Sequence, residues 1–176
     1  TTLAGVLTSL EAQAVPISWV QMDDWWYEGF KPRGGGVFCT DDWRPWPSAF
    51  PAGLDGVQTK LPWLLYAPYF CSNSSLIAEL GPQAALIAPG GYAVPRANAS
   101  LAFYRALFAS KYAGDGPPGQ GRRKVAGYEL DFMNDNFLNQ REFREGLGES
   151  EGWLAGMHAA AAERGMSIQY CMAMPS

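Results

Sequence analysis

The sequence predicts an α/β fold of the (β/α)8 TIM-barrel type, present in part: four parallel strands alternating with helices in one domain, residues 1–176. Three observations predict it. First, short apolar runs at 17–22, 62–70, 124–132 and 166–173 alternate with helical or loop segments, the pattern that gives parallel sheets. Second, polar residues collect at the C-terminal ends of these runs: Asp23 and Asp24, Tyr69, Asp131 and Cys171. Parallel α/β folds place their sites at that end. Third, the runs alternate. In AGYELDF, Tyr128, Leu130 and Phe132 share one face, and Gly127, Glu129 and Asp131 the other; in SIQYCM, Gln169 and Cys171 oppose Ile168, Tyr170 and Met172. An apolar outside with a polar inside fits a barrel near its mouth. A sheet buried on both faces reads instead as continuous Val, Ile and Leu.

Each element has its own signal. Residues 3–13 place Leu3, Val6, Leu7 and Leu10 on one helical stripe. ISWVQM, 17–22, reads as a strand, followed by a long Gly/Pro/Trp-rich loop over 24–51. AGLDGVQTK, 52–60, reads as a short helix, and PWLLYAPYF, 62–70, as a buried strand bounded by prolines. A helical turn is expected over 74–80, irregular chain over 81–97, and an amphipathic helix over 99–112. GDGPPGQGRR, 114–123, is a loop, and KVAGYELDF, 124–132, the third strand. Residues 149–164 form a helix opened by acidic residues and closed by Gly165, ahead of the last strand, 166–173.

Composition excludes several classes. With 176 residues, 48% of them hydrophobic, the chain can bury a substantial core. A net charge of −4, with Arg122-Arg123-Lys124 as the longest basic run, argues against a nucleic-acid binder. No apolar stretch approaches the ~20 residues of a membrane span. The opening TTLAGVLTSLEAQAVP lacks the basic and apolar regions of a signal peptide. Two glycosylation sequons, at Asn73 and Asn98, lean toward a secretory protein. Cys39, Cys71 and Cys171 have no zinc spacing, and His158 is the single histidine, so neither a metal site nor another cofactor is expected. RGGGVF, 33–38, lacks the Gly-Lys-Ser/Thr of a phosphate loop.

The motifs have a family likeness. MDDWW resembles the DD-x-W motif of retaining α-galactosidases and the raffinose synthases related to them. GYELDFMNDNF resembles their strand carrying the nucleophilic aspartate, FPAGLDGVQTKLPWLLYAPYF their FP-x-G-L segment with its helix and next strand, and SIQYCMAMP the strand after that. The four segments follow the family's order across nearly the whole chain.

The resemblance implies a retaining glycoside hydrolase or transglycosidase acting on α-galactosides, with carbohydrate as partner. It makes Asp131 the nucleophile, Asp23 and Asp24 acceptors for sugar hydroxyls, and Cys171 a neighbour of the sugar. Carboxylates suit this task because they accept charge-assisted hydrogen bonds. Trp25, Trp26, Trp43 and Trp46 are expected to wall the pocket as rings for the apolar face of a pyranose, with Tyr69 and Glu129 also facing it. A long loop is usually functional in a compact domain, so 24–50 is expected over the mouth. Cys39 and Cys71, each just beyond a strand end, are the pair expected to form a disulfide, leaving Cys171 free.

Two departures stand out. The family usually has a basic residue where Glu129 stands, so Glu129 either has a cationic partner or the charge logic differs. A retaining glycosidase also needs a second carboxylate as acid/base, carried in the family by the sixth strand. The chain corresponds to strands 2–5, so it is expected to be a fragment, inactive alone. Blander readings remain: a loop acid pair with tryptophans packed beneath, Asp131 and Asn134 as a turn or helix cap, and Cys171 as a small buried hydrophobe. At the level of function the alternatives are a non-catalytic carbohydrate-binding or structural protein on a degraded barrel, and an unrelated open α/β sheet.

Overall fold

A computed structural model gives the structure, describing residues 2–24, 26–27, 39–57, 59, 61–81, 83–109 and 125–173. The expected loops at 33–38 and 114–123 lie outside the described residues.

The fold is α/β, built on a four-stranded parallel sheet. Helix α1 (Leu3–Ala12) leads to β1 (Val20–Met22); β2 (Trp63–Ala67) follows a single 3-10 turn, Leu54–Gly56, where a longer helix was expected. A local insertion comes next: β3 (Phe70–Cys71), α2 (Ser75–Leu80), β4 (Ala85–Ile87) and β5 (Tyr92–Pro95). Helix α3 (Ala97–Ala109), β6 (Val125–Leu130), α4 (Met133–Asn139), α5 (Arg141–Glu145), α6 (Glu149–Glu163) and β7 (Ser167–Tyr170) complete the order. The main sheet runs β1-β2-β6-β7, all parallel, as the four apolar runs predicted. It does not close on itself: β1 and β7 are its edges.

The expectation of irregular chain over 81–97 is corrected. Strands β3, β5 and β4 form a separate antiparallel sheet. Gly90 and Gly91, at φ 105° and 82°, make the turn between β4 and β5, a conformation L side chains disfavour. This insertion is tied to the loop after β1. The Thr40 N–H donates to Tyr69 O at 2.9 Å, the Cys71 N–H donates to Thr40 O at 2.8 Å, and Cys39 and Cys71 form the expected disulfide, with Cα atoms 4.9 Å apart.

One face of the parallel sheet is packed. Helix α3 buries Ser100, Phe103, Tyr104, Leu107 and Phe108, a stripe at i, i+3, i+4, i+7 and i+8. Helix α6 buries Trp153, Met157, Ala160 and Ala161. The two helices pack closely because α6 offers Gly152 and Gly156. A Cβ on Gly156 would stand 2.6 Å from Leu101 N and 2.7 Å from the Ser100 Cβ. Tyr128 and Leu130 of β6 face this layer, as their alternation predicted, and Tyr128 sits 5.9 Å from Tyr104 and 5.8 Å from Trp43 between ring centroids. The opposite face carries Gln21, Leu64 and Tyr66, Gly127 and Glu129, and Ser167 and Gln169 in matched register.

Candidate active site

The polar face is built row by row. Register aligns Gln21, Leu64, Gly127 and Ser167 in one row, and Tyr66, Glu129 and Gln169 in the next. Asp131 and Cys171 follow where β6 and β7 end, and Asp23 and Asp24 where β1 ends. Gly127 keeps its row low, since a Cβ there would meet Ser167 O at 2.8 Å.

Asp131 is held by two hydrogen bonds. Tyr66 donates its hydroxyl to Asp131 Oδ2 at 3.1 Å, and the Phe132 N–H donates to Oδ1 at 2.7 Å. The Cys171 thiol faces the same carboxyl; its interaction with Asp131, then burial and the charges of Asp131 and Glu129, push the thiol up to about 11. Phe132 makes its contact by taking a left-handed conformation, φ 50°, and Met172 does the same just after Cys171. Such strain in non-glycine residues concentrates at functional sites. The Asn134 N–H donates to Met172 O at 3.1 Å, joining the two strand exits. The expected Asx turn or helix cap is not formed: Phe132 is the N-cap residue of α4 without a side-chain capping bond, and Asp131 Oδ1 accepts from the very next N–H instead.

Glu129 lies one row below and is 4% exposed. Gln21 donates from Nε2 to Oε2, and Gln169 donates from Nε2 to Oε1 at 3.1 Å. Gln21 belongs to β1, two strands from β6. Second-neighbour strands are ~9–10 Å apart, so the long side chains of Gln21 and Glu129 reach toward each other across β2. The partners of Glu129 are amides, so the departure at this position resolves toward a different charge logic. Burial, then the charges of Asp23 and Asp131, push Glu129 up to about 7 against the two amide hydrogen bonds. Asp24 is raised by burial and by Asp23 and Asp131. The ion pairs Arg96–Glu142, Arg105–Glu163 and Arg141–Glu145 lie elsewhere.

The tryptophan expectation is corrected. Trp26 and Trp43 are 0% and 1% exposed, so neither offers a ring face to a ligand. Both indole N–H groups donate to Tyr66 O, at 3.0 and 3.1 Å, and Trp43 packs on Phe108 of α3. They anchor the loop after β1 to the end of β2. Trp46 is half exposed, at 50%. Trp25 lies outside the described residues. Tyr69 is buried and stacked on Tyr92, with centroids 4.2 Å apart; burial, then Tyr92, Asp135 and Asp131, push its hydroxyl up to about 12.

The structure therefore gathers Asp23, Asp24, Glu129, Asp131 and Cys171, and adds Tyr66, Gln21 and Gln169. Strand parity was the signal for these three, since each shares the face of Glu129. Among the described residues, no group of three or more His, Cys, Asp and Glu has a geometry that could hold a metal ion, and no helix is long and apolar enough to cross a membrane. Compared with known proteins, the chain matches no family model, no curated protein and no solved structure. The resemblance of its motifs to α-galactosidases rests on those residues alone.

Proposed function

We propose that this chain is the nucleophile-bearing part of a retaining glycoside hydrolase or transglycosidase acting on α-galactosides, built on a partial (β/α) barrel. The observation that carries the reading is Asp131. It ends a parallel strand, is fixed by the Tyr66 hydroxyl and its own following N–H, and shares its electrostatic surroundings with Asp24 and Cys171. The all-parallel order β1-β2-β6-β7, with polar residues at the strand ends, supports the barrel.

In the proposed reaction an Asp131 carboxylate oxygen attacks the anomeric carbon. The C–O bond to the aglycone breaks, and the leaving oxygen takes a proton from a second, protonated carboxyl group, which becomes a carboxylate. The resulting glycosyl ester is opened by water, or by an acceptor sugar's hydroxyl, whose proton returns to that second carboxylate. The reading places this acid/base on a further strand and expects these 176 residues alone to be inactive. Asp23 and Asp24 accept hydrogen bonds from substrate hydroxyls.

Asp131→Asn in the complete protein keeps the shape and removes the nucleophile. Turnover of p-nitrophenyl α-galactoside should be abolished while sugar binding persists. Asp24→Asn should weaken kcat and KM together, because its acceptor serves both ground and transition states. Wild-type activity in Asp131→Asn would remove the nucleophile assignment, and sugar binding without turnover in the wild type would move the non-catalytic carbohydrate-binding reading to first place.

A further inference from the structure

Glu129 is the deepest carboxylate of the polar face. In register, Leu64 and Gly127 stand in the row before it, and Asp131 follows two residues on along the same strand face. The adjacent strand β7 and the second-neighbour strand β1 fix it, each through one glutamine amide on one carboxylate oxygen. An ionised carboxylate offers about four acceptor sites, so each oxygen keeps acceptor capacity beyond its amide.

A strand advances ~3.3 Å per residue, so carboxyl groups two residues apart on one face are separated by about 6–7 Å. That is roughly the reach of one hexose ring with its exocyclic group. A sugar whose anomeric carbon meets Asp131 therefore brings the far end of its ring to Glu129.

We propose that Glu129, positioned by Gln21 and Gln169, is the specificity-determining residue of this pocket, selecting glycosides with a hydrogen-bond donor at the ring end remote from the anomeric carbon. The substrate class is a neutral or amino glycoside, and uronosides are rejected. The inference rests on the glycosidase reading above. An ammonium or hydroxyl donates to a carboxylate already oriented by two amides. A substrate carboxylate would bring a third acid beside Glu129 and Asp131, and like charges so placed cost several kcal/mol. Gln21 and Gln169 act through Glu129: they hold its oxygens and leave no freedom to swing away from an unsuitable substrate.

The test compares kcat/KM of the complete protein on p-nitrophenyl α-galactoside, its 6-amino-6-deoxy analogue and the α-galacturonide at pH 8. Wild type should favour the first two over the third by about 100-fold or more. Glu129→Lys should reverse the order of amine and carboxylate. The isosteric Glu129→Gln should shrink the discrimination to within about tenfold. Gln169→Leu should lower it while raising KM more than it lowers kcat, the mark of a loosened contact. Activity that depends on Asp131, with the same substrate ratios in wild type, Glu129→Lys and Glu129→Gln, overturns this inference and leaves the glycosidase reading standing. Failure of wild type to turn over any of the three overturns both.

Discussion

Glu129→Gln should change how stability depends on pH. The carboxyl is pushed from 4.5 up to about 7 in the folded chain, chiefly by burial. A raised acid pKa means that the folded state holds the proton more tightly than the unfolded state. The contribution is fully present below pH 4.5 and is lost as pH rises through about 7. At about 1.4 kcal/mol per pK unit, ionising Glu129 costs about 1 kcal/mol at pH 5 and about 3 kcal/mol at pH 8. Glutamine keeps the shape, accepts from one amide and, by turning a partner amide over, donates to the other. The assay is urea denaturation of both proteins at pH 5 and pH 8. Between these pH values wild type should lose about 2–3 kcal/mol more than Glu129→Gln, a difference of differences in which other titrating groups cancel. Parallel pH dependence in the two proteins would refute the account of Glu129 as a buried carboxylate held by neutral partners.

Two further predictions follow from the same geometry. The Cys171 thiol, pushed up to about 11, should react with iodoacetamide at pH 8 about 100-fold more slowly than an ordinary thiol, and Asp131→Asn should accelerate it; a fast wild-type reaction would refute the thiol–carboxylate contact. Gly156→Ala should destabilise the fold by about 1–3 kcal/mol in urea, despite the better helix propensity of alanine, because its Cβ would press on Leu101 N at 2.6 Å; a neutral or stabilising outcome would show that α3 and α6 are not in such close contact.

The parallel sheet was legible because its signals are local. Alternation in AGYELDF separated Tyr128 and Leu130 from Glu129 and Asp131, and the structure keeps that division. The disulfide followed from two cysteines placed just past strand ends. The insertion was not legible: β3, β4 and β5 have two to four residues each, too few for a period, and lie among Pro and Gly. Trp26 and Trp43 were misjudged because a loop tryptophan reads alike whether it faces a ligand or the core. Their burial is decided by Phe108 and Tyr66, which are distant in sequence. The Glu129 clamp also joins distant positions, Gln21 and Gln169, brought together only by the strand order of the sheet. Its parity was visible and its contact was not.

The central claim is that Asp131 is the nucleophile of a glycosidase, and azide rescue tests it most directly. Asp131→Ala in the complete protein removes the attacking carboxylate and opens room on the face of the sugar it would attack. With p-nitrophenyl α-galactoside alone, turnover should be abolished. Added azide should restore nitrophenol release and yield β-galactosyl azide, the inverted product, because azide enters from the vacated side. An Asp131→Ala protein that stays active without azide, or whose lost activity azide does not restore, would contradict the assignment.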